Sequence, residues 1–291
     1  MADVRTVLDR FVAAVDREGL DAHGIHVMLG SEEAQHLWSA DHRRNIYSVS
    51  KGICVLAVGM AVRDRLISLD TAVVDALPGM EPGAGVESVT LRHLLTMTSG
   101  IDFPWFADEP LPWPDPAQAM LLHPAHAPGS TFQYSDASTY TAMRMLGAVV
   151  GDVRDWLLPR LFEPLGISDP FWQRCPLGWI MGGSGLELRT GELARVGRLL
   201  RDRGTWQGDR LVDAEWVDAM HTRWVPTGGP APFEYYGRGA WKGPGSSWRL
   251  DGKDGQYVII DQEREAVLTI TAHEENRDHR LAELAVTALQ G

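Results

Sequence analysis

The chain has 291 residues, enough for one large domain or two lobes around a substantial core. Its composition is globular without low-complexity tracts, and a formal net charge of −12 argues against nucleic acid or an anionic membrane surface as partner. Asp3, Arg5, Asp9, Arg10, Asp16, Arg17 and Glu18 rule out an apolar signal-peptide core, and the longest clean apolar run, 53–62, is too short to span a bilayer, so the expected location is the cytoplasm.

Val4, Val7, Leu8, Phe11, Val12 and Val15 fall on one stripe, which predicts an amphipathic helix ending near Gly19. Residues 24–29 and 35–38 read as two strands joined by a polar turn. A buried helix then runs from Ser48 to about Arg65. Cys54 lies within it as a small core residue, and with only Cys175 besides, the chain has no disulfide framework. Positions 69–85, rich in proline and glycine at their end, lead out of this first lobe. Residues 91–100 read as a short apolar helix stopped by Gly100. Between 103 and 116 stand five prolines (Pro104, Pro110, Pro112, Pro114, Pro116), which predict a stiff, ordered loop. Its Trp105 and Trp113 either line a pocket or plug the core.

Helices follow over 140–150, 156–162 and 190–202, the last preceded by Gly182-Gly183-Ser184-Gly185. From Trp248 onward the texture changes to strands, with β-branched runs at 255–261 and 266–272 around a turn at 262–265. A helix over 281–289 closes the chain. Strands and helices at both ends thus flank a helix-rich middle, which predicts an α/β (α+β) fold. Its sheet lobe comprises residues 1–62 and 190–291, and a mainly helical lobe, 63–189, is inserted, with a cleft between the two.

The chemistry-bearing candidate is Ser48-Val49-Ser50-Lys51. Residues three apart share a helix face, so the lysine amine is placed beside the serine hydroxyl. A desolvated lysine can take the proton that makes a hydroxyl a nucleophile. The chain has 14 Ser and 3 Lys against 24 Arg, so chance predicts about 0.14 such tetrads, and this is the sole one. Arginine cannot release its proton, so a lysine in an arginine-using chain suits a base. A surface lysine beside two helix-capping serines is the plain alternative.

Other motifs fail on inspection. His273-Glu274-Glu275-Asn276-Arg277 lacks the second histidine of a zinc helix, and Gly183-Ser184-Gly185 lacks the glycines of a nucleophile elbow. His23/His26 and His123/His126 have no carboxylate or thiol company, so no metal and no cofactor are expected. Phe132-Gln133-Tyr134-Ser135-Asp136 offers a tyrosine that could relay a proton if Lys51 depresses its pKa. Phe132 and Tyr134 could equally be alternating core aromatics.

Ser48-Val49-Ser50-Lys51, Leu94-Leu95-Thr96-Met97-Thr98-Ser99-Gly100 and Tyr134-Ser135-Asp136 together resemble, in order and spacing, the serine β-lactamase-like family. That family holds class C β-lactamases, penicillin-binding DD-peptidases, family VIII esterases and nylon-oligomer amide hydrolases. The 182–185 segment, Gly204-Thr205-Trp206-Gln207-Gly208 and Gly255-Gln256-Tyr257 are similar to it too, so the likeness covers roughly 20–290. It implies an antiparallel sheet flanked by helices, with Ser48 acylated, Lys51 as activating base and Tyr134 as second base and proton donor to the leaving group. It also implies an oxyanion hole from the backbone N–H of Ser48 and of a residue near Leu250 or Asp251. Trp105, Trp113, Asp136 and Gln256 are the expected substrate contacts.

Two departures stand out. Asp136 occupies the place of the usual Asn, and an ionised carboxylate accepts hydrogen bonds without donating them. Trp248-Arg249-Leu250-Asp251-Gly252-Lys253-Asp254-Gly255 replaces the Lys-Thr-Gly motif of penicillin-recognising members. Lys253 could substitute by position, though the Asp-Gly steps read more plainly as a hairpin turn. The expected function is an acyl-enzyme hydrolase acting on a small ester or amide. Transfer to a nucleophilic acyl acceptor, a non-catalytic sensor on the same scaffold and a cytoplasmic penicillin-binding protein are the alternatives. A Trp-rich, acidic pocket, as expected here, points to an apolar or aromatic, uncharged or cationic substrate. Oligomeric state has no signal in the sequence.

Overall fold

The N-terminal apolar stripe forms α1 (Val4–Glu18), started by Asp3, whose carboxylate accepts from the Thr6 N–H at 3.0 Å, and ended by Gly19 at φ 59°. The computed structural model describes residues 3–107 and 111–291, and Pro110 of the proline-rich loop lies outside them. After α1 come β1 (Ala22–Leu29), β2 (Glu32–Leu37) and α2 (Ser50–Arg63). The middle of the chain supplies α3 (Asp136–Val150), α4 (Thr190–Arg201) and α5 (Ala214–Met220). The short strands β3 (Val225–Pro226), β4 (Tyr235–Tyr236) and β5 (Trp241–Lys242) follow. The longer β6 (Ser247–Gly252), β7 (Gln256–Asp261) and β8 (Ala266–Ala272) lead into α6 (Asp278–Gln290).

These eight strands form one antiparallel sheet in the order β2-β1-β8-β7-β6-β5-β4-β3. Strands from opposite ends of the chain pair as its second and third members, with Ile25 opposite Ile270. Phe11 and Val7 of α1 and Leu281 and Ala285 of α6 cover one face, packing on Ile25, Ile259 and Leu268. The other face meets α2, α4 and the helical middle in a second, larger core. α2 is apolar nearly all round and buried to match, as a helix enclosed on every side must be. No helix of the described residues is long and apolar enough to cross a membrane.

The local departures have physical causes. The helix expected over 91–100 stops at Leu95. There Thr96 Oγ1 bonds back to the Arg92 carbonyl at 2.9 Å, and Met97 turns left-handed at φ 58°, three residues before Gly100. The helix expected over 156–162 is an α-turn, Val153–Leu157, that widens into a π-turn over Leu158–Phe162 beside Pro159, which has no N–H to give. β3, β4 and β5, two residues each, are too short to show any periodicity.

Gly59 lets α2 and α5 approach closely: a Cβ there would come within 2.4 Å of the Trp216 ring, whose Nε1 donates to the Val55 carbonyl at 2.9 Å. Helix propensity alone would make Gly59→Ala stabilising by about 1 kcal/mol. Overpacking reverses the sign, and a net loss of about 1–2 kcal/mol is expected in urea unfolding. A gain in stability would contradict this packing.

Candidate active site

Ser48 sits in a 3₁₀ turn, Tyr47–Val49, that runs directly into α2, so it precedes the α-helix proper. The turn is held in an unusual conformation. Tyr47 adopts φ 46°, and the Asn45 side chain accepts from the N–H of Tyr47 at 2.8 Å and of Gly185 at 3.0 Å. Ser48 is part-exposed, whereas Val49, Ser50 and Lys51 behind it are buried. Among the described residues no hydrogen bond is made by the Ser48 N–H, as expected in an opening turn.

Lys51 is 1% exposed, and its Nζ has three neighbours: Ser48 Oγ at 2.7 Å, the Gly183 carbonyl at 2.9 Å and the Asp136 carboxylate in a close ion pair. Two N–H groups go to Asp136 and Gly183, and the remaining position of Nζ faces Ser48, whether it holds a proton or a lone pair. Each acceptor is fixed by local structure. Ser135 is the N-cap of α3, with Oγ accepting from the Ala137 N–H and donating to the Phe103 carbonyl at 2.7 Å, which sets Asp136 as the first helical residue. The second Asp136 oxygen accepts from the Ala107 N–H at 2.8 Å. At Gly183 a Cβ would lie 2.8 Å from the Asp136 carboxyl, so only glycine lets this carbonyl reach Lys51.

Tyr134 joins the junction from the other side, with Lys51 Nζ 4.7 Å from its ring centre. The ring packs against Trp241 at 5.4 Å and edge-on to Tyr236 at 5.6 Å, with Phe106 at 6.2 Å. The expected depression of the Tyr134 pKa by Lys51 is not what this arrangement produces. Burial, and then the Asp136 carboxylate, push the hydroxyl well above its ordinary range, with Ser48 pulling more weakly the other way. At neutral pH Tyr134 therefore keeps its proton. Burial likewise pushes the Cys54 thiol up, which keeps it an inert core group; it donates to the Gly182 carbonyl at 3.2 Å.

β6 runs beside the Ser48 turn, and a Cβ on Gly252 would meet the Ile46 carbonyl at 2.5 Å. Its pairing with β5 ends at Arg249 opposite Trp241, so residues 250–252 form an edge not paired on that side among the described residues. Asp251 lies on this edge. Its side chain accepts from Arg249 Nε at 2.8 Å, and burial pushes its carboxyl up to about 6 against that partner. Lys253 and Asp254 make the tight turn into β7, with Asp254 at φ 61°.

The other sequence candidates lie elsewhere. Trp105 is 4% exposed and meets Trp113 edge-on at 6.2 Å, and the half-buried Trp113 also packs on Phe103 at 5.2 Å. Asp136 has both oxygens occupied and faces Lys51, not the cleft. Gln256 is buried, donates to the Ala272 carbonyl at 2.6 Å and borders a cavity of about 370 Å³ beside Tyr47, His23 and His273. A larger cavity, about 790 Å³, is bordered by Arg249, Asp251, Phe233 and α6, and neither Ser48 nor Lys51 lines it.

The sequence matches the family profile described as Beta-lactamase over residues 9–290. The chain belongs to this family. Among curated proteins, this beta-lactamase-family chain is 25% identical over 224 residues to the 6-aminohexanoate-dimer hydrolase of Paenarthrobacter ureafaciens, over 67% of this chain. It spans 55% of the length of that relative. Solved structures with the same fold include a family VIII carboxylesterase, with TM-score 0.76, 18% identity and coverage of 98% of this chain and 97% of that one. The D-amino acid amidase of Ochrobactrum anthropi SV3 superposes with TM-score 0.74 at 16% identity, covering 98% of each chain. These two structures share the fold of this chain. Sequence reasoning overlooked Gly183 as a partner of Lys51 and Tyr236 and Trp241 as the wall behind Tyr134. The glycine run at 182–185 was a usable signal; the two aromatics carried none.

The burial of Asp251, stronger than the opposing pull of Arg249, makes stability depend on pH. Folded Asp251 keeps its proton to about pH 6, against an ordinary value of 3.8, so the native state binds more protons in between and stability falls as pH rises through that window. The difference is worth roughly 3 kcal/mol. Asp251→Asn is expected to lose this fall, so its unfolding free energy from pH 4 to 7 rises relative to the wild type. Parallel pH profiles of the two proteins would contradict it.

Proposed function

We propose that the protein is a serine acyl-enzyme hydrolase for small esters or amides, with Ser48 as nucleophile. The observation that carries this reading is Lys51 Nζ, enclosed and 2.7 Å from the Oγ of a part-exposed Ser48. Ser48 Oγ bonds to the substrate carbonyl carbon while its proton passes to the Nζ lone pair. The new ammonium then donates to Ser48, Asp136 and Gly183, and the Asp136 carboxylate balances its charge. The Ser48 N–H and the free edge of β6 near Asp251 are the proposed donors to the oxyanion. As the carbonyl re-forms, the bond to the leaving oxygen or nitrogen breaks and that atom takes a proton from Tyr134, which Lys51 replenishes. Water then enters by the same steps in reverse and releases the acid.

The direction of the Tyr134 shift supports a donor role, because a hydroxyl that stays protonated has a proton to give to an amine or alkoxide. The likeness to a 6-aminohexanoate-dimer hydrolase favours a linear amide among possible substrates. Asp136 is proposed to position Lys51, in place of the substrate contact expected from its place in the motif.

Intact-mass analysis after treatment with a fluorophosphonate tests this reading. One adduct per chain is expected, on Ser48 by peptide mapping, and none in Ser48→Ala. Lys51→Arg is expected to lose labelling and ester turnover by at least about a thousandfold, because a guanidinium cannot take the proton. Labelling at another residue, or turnover surviving in Ser48→Ala, would overturn it.

A further inference from the structure

The cavity of about 790 Å³ lies on the sheet face that α1 and α6 cover. Side chains alternate along β6, so Trp248 and Leu250 enter the core with α2, while Arg249 and Asp251 turn the other way and border the cavity. Tyr257 of β7 stands directly opposite Asp251 and borders it too. Pro232, Phe233, Pro244, Ile259, Ala282 and Val286 supply an apolar wall between the sheet and α6. A chamber of this size and mainly apolar lining suits a small molecule.

The polar groups at its floor are not used up by the protein. Tyr257 is 1% exposed, yet its hydroxyl has no hydrogen bond among the described residues and is not sealed in, so it opens into the cavity. Asp251 accepts from Arg249 Nε through one carboxylate oxygen at 2.8 Å, and its other oxygen has no partner among the described residues. Arg249, 5% exposed, has three of its five N–H groups taken, by Asp251 and by the Lys242 and Pro232 carbonyls at 3.1 and 3.2 Å. Its guanidinium sits 5.2 Å from the Phe233 ring of the apolar wall. A free acceptor and free donors thus stand together in a mostly apolar chamber, where unmatched polar groups are costly.

The bordering charges balance. Asp251 matches Arg249, Glu18 and Glu283 match Arg280 at 2.9 and 2.8 Å, and the exposed Lys242 and Glu234 have opposite signs. A ligand carboxylate would be repelled by the free Asp251 oxygen, and a ligand ammonium by the Arg249 guanidinium. A carboxamide carries an acceptor and donors on one planar group without a charge, which is the complement of this floor.

We propose that this cavity binds an uncharged carboxamide carried on an aryl or alkyl body. The amide N–H donates to the free Asp251 oxygen, its carbonyl accepts from Tyr257 and Arg249, and the body lies along Phe233, Ile259 and Val286. Neither Ser48 nor Lys51 borders the cavity, so this site is separate from the chemistry proposed for Ser48 and does not depend on it.

Isothermal titration of the intact protein with 4-phenylbutanamide, 4-phenylbutyric acid and 4-phenylbutylamine tests it, at pH 8 so that Asp251 is ionised. The three share one body and differ in head charge. The amide is expected to bind at least about tenfold more tightly than the acid or the amine. Tyr257→Phe, which removes a hydroxyl that no protein group uses, is expected to weaken the amide by about fivefold or more. Val286→Trp fills the chamber from α6 and is expected to abolish this binding, whereas Ser48→Ala keeps it at wild-type affinity. If Val286→Trp fails to fold, Tyr257→Phe decides. No saturable amide binding, acid or amine bound as tightly, wild-type affinity in Tyr257→Phe or in folded Val286→Trp, or loss of binding in Ser48→Ala would each overturn the proposal.

Discussion

The arrangement depends on one buried amine, which must be satisfied whether or not it carries a proton. Lys51 is sealed from solvent at the start of an apolar helix, and a charge in that position needs a counter-charge and partners for its N–H groups. Asp136 supplies the charge and Gly183 a carbonyl, from chain segments 85 and 132 positions away. The remaining position of Nζ is left to Ser48. The same three contacts that offset the burial of the lysine also aim it at the hydroxyl, so positioning and stability arise from one set of bonds.

Around this junction the sheet and the helices have separate duties. The 3₁₀ turn before α2 carries Ser48 and α2 carries Lys51, α3 brings Asp136 through the Ser135 cap, and the short strands β4 and β5 set Tyr236 and Trp241 behind Tyr134. β6 brings an edge free of β5 past the Ser48 turn. The tyrosine, held among aromatic rings and near the Asp136 carboxylate, keeps its proton. The roles proposed for Lys51 and Tyr134, a base on one side of Ser48 and a proton donor on the other, are what acyl transfer from an ester or amide requires.

Much of this was legible in the sequence because it rests on local spacing. The serine and lysine three apart, the stripe of α1 and the β-branched runs of β7 and β8 each follow from short-range rules. The pairing of β1 with β8 was open to inference from strands at both ends of the chain. What stayed hidden depends on contacts distant in sequence. Nothing near Asp136 says that both its oxygens are taken, by Lys51 and by Ala107, which removes it from the cleft. Trp105 could have faced a pocket or the core until its neighbours were known. Tyr236 and Trp241 stand in strands of two residues, where no period exists to be read.

The central claim is that Lys51 and Asp136 are held as one unit. A double-mutant cycle of urea unfolding, with Lys51→Met, Asp136→Asn and both together, measures their coupling most directly. Each single change is expected to cost about 3–5 kcal/mol by stranding a buried partner, and the double change clearly less than the sum, with a coupling of about 2 kcal/mol or more. Additive losses, with coupling near zero, would contradict the account.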